Sequence, residues 1–261
     1  MNRIEKKFKF LKKNGKKAFI AFITAGYPNL KITGRLVLEF ARLGVDVVEL
    51  GVPFSDPLAD GPLIQAASGA ALRKKVNLPK ILKLVREIRK DTQIPICLMT
   101  YFNPIFCFGE KKFVEEAVLS GVDGVIIPDL PPEEGRLFIA AAGKKGLDVI
   151  CFISPTTSRA RIKYISRIVK GFIYYVSLTG VTGPREGLST GLVAHLKAIK
   201  RITAKPVCVG FGISNTRQIR QLYRHADGVI VGSAIIKKIR ENIKSPGLVR
   251  RVGSFVRSLK R

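Results

Sequence analysis

Two textures of hydrophobicity alternate along the chain. Short, nearly all-apolar runs are separated by stretches in which apolar positions recur every three or four residues. The first texture suits strands buried on both faces, the second amphipathic helices. The opening fourteen residues read as a helix with Ile4, Phe8 and Leu11 on one face, ended by Asn14-Gly15. A strand over 18–24 follows, stopped by Gly26 and Pro28, then a helix over 32–43 with Gly44 at its C-cap. A second strand spans 45–52, and helices follow over 63–72 and 78–90. Strand and helix then alternate regularly: strands at 95–101, 122–127, 148–153, 172–177, 206–211 and 228–231, helices at 110–120, 132–145, 158–169, 191–202 and 215–224. A short helix over 234–239 and a last one over 247–259 complete the pattern.

Eight buried strands in strict alternation with helices predict a parallel sheet. Closed on itself, it is a (β/α)8 TIM barrel, here with an extra N-terminal helix and a short helix after strand 8. An open doubly wound sheet is the lesser alternative, because no G-x-G-x-x-G follows the first strand. No linker or shift in composition interrupts the chain, so the pattern predicts one domain, 1–261.

Within this frame Glu49 stands out. The run 45–52 carries it near its end, Arg42 is the nearest preceding basic residue, and the following loop, with Asp56 and Asp60, has no Lys or Arg. An unpaired carboxylate in an apolar strand has a raised pKa and marks a candidate active site. Function in such barrels gathers where strands run into their following loops. Those ends offer Glu49, Asp60, Tyr101, Asp129, Tyr174, Thr182 and Ser233, against apolar Phe22, Ile153 and Phe211. A few converging polar groups among aromatics suit an aromatic substrate. Asp129 is read as a helix start before a substrate contact.

The last strand ends are glycine-rich, Gly210-Phe211-Gly212 and Gly232-Ser233-Ala234. Glycine lets backbone N–H groups approach an anion, and the short helix aims its positive end there, which predicts a phosphate cradle. Tight barrel turns are the plainer account of the same glycines. The glycine-rich loop 178–191 reads equally as a water-excluding lid or as an ordinary surface loop.

Composition narrows the class. No apolar run is long enough to span a membrane. The lysine-rich start resembles neither a secretory signal nor a transit peptide, and a cytoplasmic protein is expected. Cys97, Cys107, Cys151 and Cys208 form no C-x-x-C pair, and with His195 and His225 they offer no metal spacing, so core thiols and no metal are expected. Charge is the anomaly: 46 basic residues against 19 acidic give +27, concentrated at both ends. Nucleic-acid binding is the sharp reading of that charge. No aromatic-interleaved strand or helix-turn-helix accompanies it, so a lysine bias over solvated faces is preferred.

Five segments resemble the tryptophan synthase alpha chain family: Phe22-Ile23-Thr24-Ala25-Gly26-Tyr27-Pro28, the whole stretch from Glu49 to Pro62, Gly180-Val181-Thr182-Gly183, Gly210-Phe211-Gly212-Ile213, and Asp227 through Ala234. The resemblance implies a lyase that cleaves indole-3-glycerol phosphate to indole and glyceraldehyde 3-phosphate. It implies Glu49 as the proton donor and base, and Asp60 as the carboxylate that holds the indole N–H. It also implies Phe22, Tyr101, Ile153, Tyr174 and Phe211 around the indole, and Gly183, Gly212, Gly232 and Ser233 on the phosphate. Asp56 and Thr182 match elements of a lid that signals to a partner. That partner is a beta chain carrying pyridoxal phosphate in an α2β2 tetramer, and no cofactor is expected in this chain. The charge departs from what the resemblance suggests. Two alternatives stay open: another phosphate-binding barrel enzyme, though those use a catalytic Lys or an Asp pair and no Lys falls in these strands, or a basic barrel that binds RNA or only activates a partner.

Overall fold

The computed structural model describes residues 1–176, 190–210 and 212–260. Its strands are β1 (Ala18–Thr24), β2 (Val47–Gly51), β3 (Ile96–Met99), β4 (Gly124–Ile126), β5 (Asp148–Ile150), β6 (Phe152–Ile153), β7 (Ile173–Val176), β8 (Val207–Gly210) and β9 (Gly228–Val231). Every pairing is parallel, in the order β5-β4-β3-β2-β1-β9-β8-β7-β6. The two ends of that order are one stretch of chain. The strand expected over 148–153 breaks at Cys151, pairing with β4 before it and β7 after it. The Tyr174 N–H donates to the Cys151 carbonyl at 3.0 Å across the break. Changing partner mid-strand is what closes the sheet into a barrel.

Two apolar clusters follow from the closure. One lies between strands and outer helices; the other fills the barrel, with Ile20, Val47, Cys97, Ile126, Ile150 and Cys208 at its centre. Helix α1 (Arg3–Lys13) plugs the barrel floor with Ile4, Phe8 and Leu11, the face its spacing predicts. Aspartates at strand starts lock this floor. Asp46 accepts the Phe19 N–H at 2.9 Å, Asp123 the Ile96 N–H at 2.9 Å, and Asp227 the Val207 N–H at 3.0 Å. Arg3 then pairs with Asp123 at 3.0 Å and Lys7 with Asp46 at 3.5 Å, which pins α1 in place. Each aspartate thus satisfies an amide in the first two residues of a neighbouring strand, a group that would otherwise be buried unpaired.

The remaining helices are α2 (Leu30–Arg42), α3 (Pro62–Arg73), α4 (Leu78–Ile88), α5 (Phe102–Phe108), α6 (Glu110–Ser120), α7 (Arg136–Lys145), α8 (Arg159–Ile168), α9 (Thr190–Ile202), α10 (Thr216–Tyr223), α11 (Ser233–Glu241) and α12 (Leu248–Leu259). Helix α5 has no counterpart in the sequence pattern. It is too short to show periodicity and carries Pro104 in its first turn, where proline is tolerated. Its start is held from outside, since the Phe102 N–H donates to both Asp129 carboxylate oxygens at 2.9 and 3.1 Å. Asp129 therefore caps the helix before it and does not open the next one. Helix α7 begins at Arg136, later than the expected 132, because Glu134 and Gly135 turn back onto the Pro131 carbonyl. Three of the cysteines are buried and free, as their apolar runs suggest, while Cys107 on α5 is exposed.

Candidate active site

Parallel register puts Glu49 of β2 between Phe22 of β1 and Cys97 of β3. Its residue exposure is 0%, and neither carboxylate oxygen has a hydrogen-bond partner among the described residues. Burial alone pushes its pKa up to about 8. A charged, dry, unpaired carboxylate is strongly disfavoured, so Glu49 holds its proton at neutral pH. No described cation pairs with it, and the sequence-level signal of an isolated acid in an apolar strand corresponds to the site's main electrostatic feature.

Asp60 sits half-buried in the loop after β2. Burial raises its pKa, and the bond from the Tyr101 hydroxyl opposes that rise. Phe22, Thr24, Gly51, Asp60, Ser68 and Tyr101 are among the residues that line one small pocket at this end of the barrel. Tyr174 is buried on the same side, close enough that Glu49 and Asp60 both raise its pKa further beyond the effect of burial. A Cβ at Gly210 would overlap the Tyr174 ring and hydroxyl, so that glycine is required by close approach. The Phe22 ring packs between Gly51 and Gly232: a Cβ would meet it at 2.7 Å on the first and 3.1 Å on the second. Phe22 thus joins the carboxylate side to the glycine-rich end.

Of the other expected residues, Ile153 is buried beside β7, and Gly212 follows β8 with φ +70 in the left-handed region. Gly232 and the exposed Ser233 begin α11, whose first turn has no side-chain cap, so its leading N–H groups are open to an anion. Asp56 is exposed and bonded to the Ser55 hydroxyl. Thr182, Gly183 and Phe211 lie outside the described residues.

Tyr101 does more than form a wall. Its hydroxyl accepts the Ala59 N–H at 2.9 Å and donates to Asp60, and its ring stacks on Phe54 at 5.1 Å. Ser68 of α3 grips the other end of the loop, accepting the Phe54 N–H at 2.8 Å and donating to the Phe54 carbonyl at 3.1 Å. The sequence reading missed Ser68. Its only signal is a hydroxyl within a run of small residues, Ala66-Ala67-Ser68-Gly69-Ala70. Tyr101→Phe is expected to lower lyase kcat/KM by about tenfold, the equivalent of one charge-assisted hydrogen bond. Steady-state kinetics check this, and an unchanged value would show that the hydroxyl does not hold the loop.

Comparison with known proteins places the chain in a family. The family model described as tryptophan synthase alpha chain matches residues 8–260. The chain belongs to that family. It is 48% identical over 260 residues to the tryptophan synthase alpha chain of Geotalea uraniireducens, covering 100% of this chain and 97% of the relative. The crystal structure of tryptophan synthase subunit alpha from Legionella pneumophila superposes with a TM-score of 0.93 at 40% identity, covering 100% of this chain and 97% of that one. A chain in the tryptophan synthase α2β2 complex of Pyrococcus furiosus matches at TM-score 0.87 and 37% identity, covering 93% and 97%. Membership makes this a carbon–carbon lyase of tryptophan biosynthesis, acting on indole-3-glycerol phosphate.

Proposed function

We propose that Glu49 and Asp60 carry the retro-aldol cleavage of indole-3-glycerol phosphate, and that the whole chain, 1–261, is one catalytic domain. The observation that carries this is the dry, unpartnered Glu49 carboxyl, protonated near neutrality and on the strand position beside Phe22, which lines the same small pocket as Asp60. Glu49 gives its proton to indole C3 while Asp60 holds the indole N–H and offsets the positive charge that spreads into the ring. The glycerol hydroxyl on the adjoining carbon then returns a proton to Glu49, and the carbon–carbon bond breaks. Its electrons go back to the indole, and the oxygen becomes the aldehyde of glyceraldehyde 3-phosphate. Proton donated and proton recovered balance, so the step needs no metal or organic cofactor.

Phe22, Tyr101, Ile153, Tyr174 and Phe211 are proposed to enclose the indole. Gly183, Gly212, Gly232 and Ser233 are proposed to hold the phosphate, with the open N–H groups at the start of α11 as the supporting feature. Thr182 and Asp56 are proposed as lid and signalling residues toward a beta chain that carries pyridoxal phosphate in an α2β2 tetramer. The similarity to a chain of the Pyrococcus furiosus complex supports that partnership. No helix among the described residues is long and apolar enough to cross a membrane, and a cytoplasmic site of action fits the pathway.

The test is indole release from indole-3-glycerol phosphate, followed with and without a beta chain. Measurable release by the chain alone, increased when the beta chain is added, is expected. A folded chain that releases no indole in either assay would contradict the assignment.

A further inference from the structure

At the barrel floor, remote from Glu49, a groove runs between α1, the turn into β1 and the segment that leads into β8. Its volume is about 470 Å³, within the range of small-ligand sites. Six lysines line it, Lys9, Lys12, Lys16, Lys17, Lys200 and Lys205, against two carboxylates, Glu5 and Asp227. Asp227 is already committed: it pairs with Lys200 at 2.7 Å and Lys17 at 3.5 Å and accepts the Val207 N–H. Among the described residues, Lys9, Lys12, Lys16 and Lys205 have no side-chain hydrogen bond or ion pair. Four like charges left unneutralised around one concavity focus a positive field into it and concentrate anions there.

We propose that this groove binds a small polyanion bearing a chain of phosphate groups, of the kind found in a nucleoside triphosphate or in inorganic tripolyphosphate. Ammonium groups bind phosphate as point charges, and several spread around a cleft suit several linked anionic groups better than one. The aromatic residue in the groove, Phe8, is buried against Phe172 and offers no stacking face for a base. Recognition therefore rests on the phosphates, and the two sources should bind alike. The same feature disfavours single-stranded nucleic acid, which needs stacking platforms beside its basic track. The site is separate from the glycine-rich end proposed above for the substrate phosphate.

Calorimetric titration of the full chain with tripolyphosphate and with ATP, at low ionic strength, tests this. The variant K9Q/K12Q/K16Q/K205Q should bind both at least about tenfold more weakly, a loss of roughly 1.4 kcal/mol, with indole release unchanged. A control removing equal charge from exposed helix positions elsewhere, K31Q/K83Q/K111Q/K163Q, should stay within about twofold of wild type. Lys205→Gln alone lies off α1 and repeats the test should the α1 substitutions disturb folding; about threefold weakening is expected. Equal losses in groove and control variants would mean diffuse charge and overturn the proposal. So would no saturable binding of either anion, no change in Lys205→Gln, or tighter groove-dependent binding of a single-stranded oligonucleotide. Binding of ATP without tripolyphosphate would overturn it too, by showing that the nucleoside is what is recognised.

Discussion

Glu49→Gln is expected to lower kcat for indole release by about 10²- to 10⁴-fold, the usual contribution of a positioned general acid–base group. Glutamine matches the shape of the acid and cannot deliver a proton to carbon. Because no described group is hydrogen-bonded to the Glu49 carboxyl, the change breaks no hydrogen bond, and the fold is expected to survive. A variant that keeps more than about a tenth of wild-type kcat would remove Glu49 from the mechanism. The same carboxyl sets a pH profile. With its pKa near 8, the free enzyme loses the competent acid as pH rises through that value, so wild-type kcat/KM should fall there.

Stability should follow the same proton. Glu49 has an ordinary value of 4.5 and rises to about 8 when folded. Between those values the folded chain keeps a proton that the unfolded chain has released, so native stability declines as pH climbs through the window. Asp148, raised by burial to about 7, adds a decline of the same sign. Urea unfolding at about pH 5 and about pH 8.5 should therefore show a smaller loss in Glu49→Gln than in wild type. Identical losses would mean that Glu49 is not held protonated in the folded chain.

Asp60→Asn should cost about 10²- to 10³-fold in kcat, the scale seen when a group facing developing charge is removed. Asp129→Asn tests the ranking of the carboxylates. Asp129 is bonded to the Phe102 N–H at the start of α5, and asparagine keeps one oxygen to accept that N–H, so the change should cost less than about 1 kcal/mol of stability, the scale of losing a helix cap outright. Its effect on kcat should stay below about tenfold. Denaturation and steady-state kinetics on both variants separate the two roles. Comparable losses of activity would show that the loop carboxylate and the capping carboxylate had been ranked wrongly.

Much of this was legible in the chain because burial leaves a local signature. Near-continuous apolar runs identify strands covered on both faces, and the repeat through Ile4, Phe8 and Leu11 identifies the face that plugs the floor. A lone acid inside such a run is legible for the same reason, since nothing nearby in sequence can neutralise it. Ser68, Asp129 and α5 were not, because each depends on a partner brought near by folding. A serine hydroxyl has no distinguishing pattern until Phe54 is laid against it, fourteen residues away. Tyr101 is legible as a polar group at a strand end, but only its bonds to Ala59 and Asp60 reveal it as the clamp on the loop after β2.

By itself the sequence determined the alternation of strand and helix, the buried acid at the end of the second strand and the excess of positive charge. The tertiary structure decided how the sheet closes, through the change of partner at Cys151, and which aspartates secure the floor. It also decided which lysines of one groove have no counter-charge among the described residues. Hydrophobic periodicity is written residue by residue, whereas hydrogen bonds and ion pairs join side chains that can be more than a hundred residues apart, as Arg3 and Asp123 are, and exist only once the barrel has closed.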